Sequence, residues 1–183
     1  MKLNQLFSFF DLQPDSDVSV EIFEREVEAI CFDTREVKPN SVFVAIKGND
    51  RDGHDYLPQA IEAGAIALVV ENKSKVPADY PHLVVEILDT RAALDMLASR
   101  FYMYPSQQLF CIGVTGTNGK TSITYILEHI LDYYKKSTGV MGTVNHRVGE
   151  KVWNSQMTTP DPVTLQRRLR EFVDAGATAA VME

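Results

Sequence analysis

Short apolar runs of strand length alternate with helical spacing along roughly the first hundred residues. Apolar and β-branched runs predict strands at 29–32, 41–46, 65–70 and 83–87. Apolar residues at helical spacing predict helices at 3–12, 56–63 and 90–102. For the second of these helices, Asp55 is the predicted N-cap and Gly64 the predicted C-terminal stop. Strands that alternate with helices predict an α/β fold.

A second α/β segment is predicted after a polar, proline-containing stretch at 104–108. It is predicted to begin with a strand at 109–114, followed by a helix that starts near Lys120 and has one apolar face. A polar turn of a β-ribbon is predicted at 145–151. Asp161 and Pro162 are typical of a helix start, the helix is predicted to end at 175–177, and a strand follows at 178–182. The predicted domains are therefore 1–106 and 107–183.

The second predicted domain is small for its class. It would contain only about 75 residues, at the low end of domain size. Its sheet would also have unpaired strands and an exposed edge. We therefore expect the chain to be a fragment of a longer protein. The alternative is a complete small protein whose last element is the strand at 178–182.

The composition is that of a globular protein, with 45% hydrophobic and 23% charged residues. The net charge of −7 argues against a protein that binds nucleic acid through a broad basic surface. The amino terminus lacks a signal-peptide pattern, and no apolar run approaches the ~20 residues of a membrane span. We therefore expect a cytoplasmic protein in which Cys31 and Cys111, each within an apolar run, are buried thiols.

The strongest chemical signal is a glycine-rich turn between the strand at 109–114 and the helix that follows it. It reads Thr115-Gly116-Thr117-Asn118-Gly119-Lys120-Thr121-Ser122. Glycines let a backbone bend so that its N–H groups face a phosphate, and a helix amino terminus adds partial positive charge. Lys120 can then reach the β- and γ-phosphates of ATP, and the Thr121 hydroxyl can ligate Mg²⁺. The general pattern has a glycine where this chain has Val114, so a plain glycine turn is the alternative.

This loop resembles the ATP loop of the Mur ligase superfamily, which lacks that early glycine. Three other segments carry the same resemblance. Asp33-Thr34-Arg35, followed by 41–45, Gly48 and 52–54, resembles the amino-terminal signature of the MurE and MurF branches. The Met-Thr-Thr-Pro segment at 157–160 resembles a motif of the MurE branch. Val181-Met182-Glu183 resembles the start of the family's Met-Glu-Val-Ser-Ser-His stretch, so the resemblance covers nearly the whole chain.

Sister branches differ at positions that this chain contains. In MurF the loop tends to differ at the positions of Thr117 and Asn118, and an asparagine-rich segment replaces 158–160. Folylpolyglutamate synthetase usually has glycine where this chain has Thr121, and it lacks the amino-terminal uridine-binding domain. The sequence is therefore identified as a member of the MurE branch. The alternatives are a MurF-type ligase, a folylpolyglutamate-synthetase-type ligase, a non-catalytic nucleotide-sugar-binding module and a conventional phosphate-loop NTPase.

The resemblance implies a role for each matching residue. The first domain would bind the uridine diphosphate end of the substrate through Phe32, Thr34, Asn49, Asp50 and Arg51. The second would bind ATP through Gly116, Thr117, Asn118, Gly119, Lys120, Thr121 and Ser122, with Lys120 as the catalytic residue. Mg²⁺ would be held by Thr121 and Glu183, and the muramoyl-dipeptide part of the substrate by Thr158 and Thr159. Without the resemblance, 33–35 would be a polar turn between strands and 50–52 a solvated loop. Thr158 and Thr159 would be an extended segment before a proline.

The implied reaction has two steps. ATP phosphorylates the free side-chain carboxylate of the D-glutamyl residue of UDP-N-acetylmuramoyl-L-alanyl-D-glutamate, which gives an acyl phosphate. The amine of a diamino acid, meso-diaminopimelate or L-lysine, then attacks and releases phosphate. The reaction belongs to peptidoglycan precursor synthesis, and so to cell wall biogenesis, cell shape and cell division. The diamino acid pocket would lie beyond Glu183, so we expect the isolated chain to be an inactive monomer.

Overall fold

The chain divides into two units, each built around its own β-sheet. The computed structural model describes residues 1–10, 19–48, 50–155 and 157–183. The first unit comprises Met1–Phe101 and the second Tyr102–Glu183, whereas the sequence predicted a boundary after residue 106. Each unit combines helices with a sheet that contains parallel strands, which confirms the predicted α/β fold. The ligands assigned to the two domains from the sequence stay predictions.

The first unit is built on a four-stranded, wholly parallel sheet. Its strands are β1 (Ala29–Cys31), β2 (Ser41–Val44), β3 (Ala65–Val70) and β4 (Leu83–Glu86), hydrogen-bonded in that order. Its helices are α1 (Leu3–Phe7), α2 (Leu57–Glu62) and α3 (Thr90–Phe101). All six residues of β3 are buried, because an inner parallel strand is covered on both faces. The carboxyl ends of parallel strands share one edge of the sheet, so the loops that follow β1, β2 and β3 are neighbours.

The start of α2 differs from the prediction. Asp55 is not its N-cap, because a 3₁₀ turn at Gly53–Tyr56 precedes the helix, which begins at Leu57. The residue that caps this turn is Asp52, whose carboxylate accepts a hydrogen bond from the main-chain N–H of His54 at 3.0 Å. A helical pattern alone does not distinguish a 3₁₀ turn from the first turn of an α-helix, and the N-cap position of α2 itself is held by Tyr56.

The predicted end of α2 is confirmed. Gly64 has a φ of +96°, and its N–H donates to the carbonyl of Ile61 at 3.0 Å. This left-handed residue is the usual way to end a helix. The first helix is shorter than predicted, since α1 ends at Phe7 and Ser8 is its C-cap. The last two residues of the predicted helix, 11 and 12, lie outside the described part of the chain.

The second unit contains a five-stranded mixed sheet. Its strands are β5 (Phe110–Gly113), β6 (Thr138–Met141), β7 (Asn145–Val148), β8 (Lys151–Asn154) and β9 (Ala179–Met182), in the order β5-β9-β6-β7-β8. The first three strands of that order are parallel, and β7 and β8 add the predicted antiparallel ribbon. Its helices are α4 (Lys120–Tyr133) and α5 (Pro162–Asp174). None of the helices in the described part of the chain combines the length and the hydropathy of a membrane span.

Helix α5 supplies much of the core of the second unit. It begins as predicted, with the Asp161 carboxylate accepting from the main-chain N–H of Thr164 at 2.9 Å. Leu169 and Phe172 are fully buried in one cluster with residues of the sheet. The ring of Phe172 lies directly against Gly139 of β6. The helix therefore packs on the sheet at the one residue of β6 that has no side chain.

Two surfaces of the second unit are more exposed than the sequence predicted. The apolar face of α4 is only partly covered, and Ile123, Ile126 and Ile130 are exposed. Cys111 is exposed as well, so the prediction of two buried thiols is wrong for Cys111 and confirmed for Cys31. Cys111 lies in β5, which is an edge strand of the sheet within the described residues. Apolar flanking residues do not distinguish an edge strand from an inner one.

Candidate functional site

The glycine-rich turn connects β5 to α4 as predicted. Val114, the first residue after β5, donates its N–H to the carbonyl of Met182 at 2.7 Å, which ties the turn to β9. Gly116 and Gly119 have φ values of +145° and +79°, which L side chains rarely adopt. The two glycines are therefore what allows the chain to reverse between the strand and the helix.

The amino terminus of α4 is open to an anion. Its N-cap is Gly119, so no side chain caps the first N–H groups of this 14-residue helix. The Lys120 ammonium folds back over the turn and donates to the carbonyl of Gly116 at 2.9 Å. Free N–H groups, the helix dipole and a lysine thus converge on one loop, as in sites that bind phosphate groups. The other predicted ATP contacts lie in the same turn or in the first turn of α4. Thr117, Asn118 and Ser122 are exposed, and Thr121 is half-buried.

Glu183 lies beside this loop. It follows β9, whose neighbours are β5 and β6, and its N–H donates to the carbonyl of Met141 at 3.0 Å. Its carboxylate accepts two bonds from Thr143: one from the main-chain N–H at 3.2 Å and one from the hydroxyl at 2.9 Å. Within the described residues, no group of three or more His, Cys, Asp or Glu side chains is arranged to hold a metal ion by itself. A carboxylate and the Thr121 hydroxyl are hard oxygen donors that fit Mg²⁺, which takes its remaining ligands from phosphates and water.

Thr143 also joins Glu183 to a predicted substrate contact. Its hydroxyl lies 3.1 Å from the hydroxyl of Thr158. Thr159, the other predicted contact in this segment, is exposed and takes no part in the group. Thr143 is not among the residues predicted from the sequence, because a threonine after a strand carries no recognisable pattern. The feature that could have identified it is its position directly after β6, at the same sheet edge as the glycine-rich turn and Glu183.

The predicted substrate residues of the first unit lie along one sheet edge. Phe32 and Thr34 follow β1, and Asp50 and Arg51 follow the adjacent parallel strand β2. Phe32 and Thr34 are half-buried, whereas Asp50 and Arg51 are exposed. Asn49 lies outside the described residues. The four described residues therefore come from loops that leave the same edge of the sheet.

The loop after β2 is closed by main-chain bonds. Gly48 donates its N–H to the carbonyl of Arg51 at 2.8 Å, and Gly53 donates to Ile46 at 2.9 Å. A guanidinium nitrogen of Arg91, in the first turn of α3, donates to the carbonyl of Lys47 at 3.0 Å. These bonds hold the described residues on both sides of residue 49 to each other and to α3.

A buried histidine anchors the end of this loop. His54 is 5% exposed, and its Nδ1 lies 2.6 Å from the Asp52 carboxylate. Its Nε2 accepts from the main-chain N–H of Glu71, directly after β3, at 3.0 Å. The Glu71 carboxylate in turn accepts from the hydroxyl of Thr90, at the start of α3, at 3.1 Å. One connected set of hydrogen bonds therefore holds the loop, β3 and α3 together.

The carboxyl group of Asp52 is held in its charged form. The Lys75 ammonium, 2.7 Å away, is the main cause, and the N–H groups of His54 add to it. Together they hold the pKa of Asp52 well below its usual range. A carboxyl with a lowered folded-state pKa stabilises the fold above its unfolded-state pKa of about 3.9. That stabilisation is lost as the pH falls from there through the folded-state pKa.

Asp52→Asn is expected to destabilise the first unit modestly at pH 7, because asparagine still accepts from the main-chain N–H of His54 but loses the solvent-exposed ion pair with Lys75. Urea unfolding at several pH values measures the effect. The gap between wild type and variant should close as the pH falls below about 4. A gap of constant size down to low pH would contradict the assignment.

Two family models match the sequence. The model described as "Mur ligase family, catalytic domain" matches residues 26–102. The model described as "Mur ligase middle domain" matches residues 114–183. The second match begins at the glycine-rich turn and includes Thr143, Thr158 and Glu183.

Curated proteins named UDP-N-acetylmuramoyl-L-alanyl-D-glutamate--2,6-diaminopimelate ligase are similar to the chain. The Bacillus licheniformis protein is 43% identical over all 183 residues of this chain, which correspond to 36% of that protein. The Aquifex aeolicus protein is 44% identical over 159 residues, which are 87% of this chain and 32% of that protein. The chain thus spans about a third of the length of the curated relatives it matches.

Solved structures share the fold. A structure of a UDP-N-acetylmuramoyl-L-alanyl-D-glutamate--2,6-diaminopimelate ligase matches 99% of this chain with 35% of its own, at a TM-score of 0.75 and 20% identity. A structure of MurF from Acinetobacter baumannii covers 100% of this chain with 35% of its own length, at a TM-score of 0.62 and 23% sequence identity. MurF ligase from Thermotoga maritima, solved in complex with ADP, matches 84% with 31% of its chain, at a TM-score of 0.56 and 27% identity.

Proposed function

Because the chain belongs to the Mur ligase family, we propose that it is the nucleotide-binding and substrate-binding part of an ATP-dependent amide ligase. The observation that carries the proposal is the open amino terminus of α4, with Lys120 over its loop and Glu183 directly after the neighbouring strand β9. The substrate is UDP-N-acetylmuramoyl-L-alanyl-D-glutamate, and the amino acid added is 2,6-diaminopimelate, as the names of the relatives state for those proteins. A cytoplasmic location is part of the same proposal.

The second unit would bind ATP. Main-chain N–H groups of the glycine-rich turn would contact the phosphates, and Lys120 would exchange its bond to the Gly116 carbonyl for one to a phosphate oxygen. Thr121 and Glu183 would hold Mg²⁺, which offsets negative charge on the phosphate groups. Thr117, Asn118, Gly119 and Ser122 complete the proposed nucleotide contacts. The chain contributes position and positive charge, which are the main requirements of phosphoryl transfer.

The first unit would bind the uridine diphosphate end of the substrate. The proposal assigns this contact to Phe32 and Thr34 after β1 and to the loop after β2, with Asp50, Arg51 and the predicted residue Asn49. The Thr34 hydroxyl and the main-chain N–H groups of the loop are donors suited to phosphate and ribose oxygens. Thr158 and Thr159 of the second unit would contact the muramoyl peptide.

The proposed reaction has two steps and proceeds through an acyl phosphate. An oxygen of the D-glutamyl side-chain carboxylate attacks the γ-phosphorus of ATP, ADP leaves, and an acyl phosphate forms. The amine of diaminopimelate then attacks the acyl carbon, the amide bond forms, and phosphate and one proton are released. The chain spans about a third of the relatives' length. We therefore expect the 183-residue chain alone to bind nucleotides without forming the amide.

Lys120→Ala is expected to weaken ADP and ATP binding about 10- to 100-fold, because a charged hydrogen bond to phosphate contributes about 1.5–3 kcal/mol. Calorimetry on the 183-residue chain with ADP and Mg²⁺ measures this loss. UDP binding should be unchanged, since its proposed site lies in the first unit. Lys151→Ala, an exposed lysine in β8, is the matched control and should bind like wild type.

The same titrations separate the rival functions. A conventional phosphate-loop NTPase would hydrolyse ATP without any muramoyl substrate. A nucleotide-sugar-binding module would bind the UDP-sugar but no adenine nucleotide. If the wild-type chain binds no ADP, or if Lys120→Ala binds it as tightly as wild type, the proposed function is wrong.

A further inference from the structure

The hydrogen bonds around Thr143 have a defined direction. A carboxylate only accepts, so the Thr143 hydroxyl gives its one proton to Oε2 of Glu183. The oxygen of that hydroxyl then accepts from the Thr158 hydroxyl, 3.1 Å away. Donation therefore runs from Thr158 through Thr143 to Glu183. Among the described residues no group donates to the Thr158 oxygen, which can therefore accept from an external donor.

The other oxygen of the Glu183 carboxylate is fixed by the main chain. Oε1 accepts from the N–H of Thr143, and a Cβ built on Gly142 would lie 2.3 Å from it. That oxygen is therefore confined against the backbone after β6. Oε2 is held by the Thr143 hydroxyl. Loss of this hydroxyl would release Oε2 and leave the contacts of Oε1 in place.

We propose that Thr143 is a positioning residue that orients the Glu183 carboxylate for a divalent cation and couples it to Thr158. The inference rests on the proposed function, in which Glu183 contacts Mg²⁺ and Thr158 contacts the muramoyl peptide. A donor that engages Thr158 shifts the hydroxyl to which Thr143 is bonded, and Thr143 transmits the shift to the metal ligand. Substrate binding and metal binding are thereby linked, and such a link is reciprocal.

The first test removes only the hydroxyl. Thr143→Val has nearly the same shape and keeps the main-chain N–H, whereas Thr143→Ser keeps the hydroxyl. Calorimetry of ADP binding to the 183-residue chain, with and without Mg²⁺, gives the gain in affinity caused by the metal. We expect Thr143→Val to reduce this gain about tenfold, as for other residues that orient metal ligands, and to leave Mg²⁺-free ADP binding unchanged. Thr143→Ser should restore the gain.

The result that overturns the proposal is a full Mg²⁺-dependent gain in Thr143→Val. An equal loss of ADP affinity with and without Mg²⁺ overturns it too, because a merely structural role acts on both. Unfolding followed by the fluorescence of Trp153, the only tryptophan in the sequence, verifies that each variant is folded. If the valine variant does not fold, Thr143→Ala and Thr143→Ser provide the same comparison.

The second test examines the link to Thr158. Thr158→Val should reduce the Mg²⁺-dependent gain in the wild-type background and have no further effect in the Thr143→Val background. Independent, additive losses would overturn the coupling.

The failure of the proposed function gives a different pattern. If the wild-type chain binds no ADP, the Thr143 proposal is tested with Mn²⁺ alone, followed by electron paramagnetic resonance. Binding that is lost in Glu183→Gln and weakened in Thr143→Val would support the positioning role. Binding that is the same in wild type and Thr143→Val would overturn it.

Discussion

Gly139→Ala is expected to destabilise the second unit by about 3 kcal/mol, at the upper end of the range for overpacking a core. A Cβ at this position would lie 2.1 Å from one ring carbon of Phe172 and within 2.5 Å of two others. Phe172 is fully buried on α5, so its ring has no solvent-filled space into which it can move. The helix and β6 would have to separate, which disturbs the contacts of the whole cluster.

Urea unfolding followed by Trp153 fluorescence measures this effect. The Trp153 ring lies 6.3 Å from that of Phe172, so its emission reports on the second unit. The matched control is Gly113→Ala in β5, where an added Cβ would meet no atom within 4 Å. Phe172→Leu should recover part of the lost stability in the Gly139→Ala background but should destabilise the wild type. Equal stability of the Gly139 and Gly113 variants would contradict the packing described here.

Local patterns were sufficient for most of the architecture. The apolar run at 65–70 coincides with β3, and Asp161 caps α5 as predicted. The glycine-rich turn lies between β5 and α4, with Lys120 at the start of the helix. Each of these features is encoded within a few consecutive residues: a buried strand, a cap or a turn that needs positive φ. Such signals do not depend on the rest of the chain.

Other features arise from contacts between residues far apart in the sequence. The need for glycine at 139 comes from Phe172, which no pattern near β6 indicates. Thr143 gains its significance only from Glu183 and Thr158. The exposure of Cys111 follows from the position of β5 in the sheet order. These three features depend on the order of the strands and the placement of the helices. The local pattern of apolar and polar residues does not predict either of them.

His54→Ala is expected to destabilise the first unit by about 3 kcal/mol. His54 is buried, so truncation leaves a cavity, and it also leaves the N–H of Glu71 without its acceptor. Because Nε2 accepts from that N–H, the geometry assigns the ring proton to Nδ1, which donates to Asp52. Nitrogen NMR of the ring tests this tautomer directly. Chemical unfolding followed by NMR of first-unit amides gives the loss of stability.

Two polar replacements of His54 separate the two ring nitrogens. Glutamine is long enough to place an acceptor near the position of Nε2, so His54→Gln should keep the Glu71 N–H bonded and lose the least stability. Asparagine reaches only the Asp52 side, so His54→Asn should resemble His54→Ala, with faster hydrogen exchange at the Glu71 amide. UDP affinity should fall in the same order, because the loop that contains Asp50 and Arg51 ends at this anchor. If asparagine were as stabilising as glutamine, the bond to Asp52 rather than the one to Glu71 would be the dominant contact of the ring.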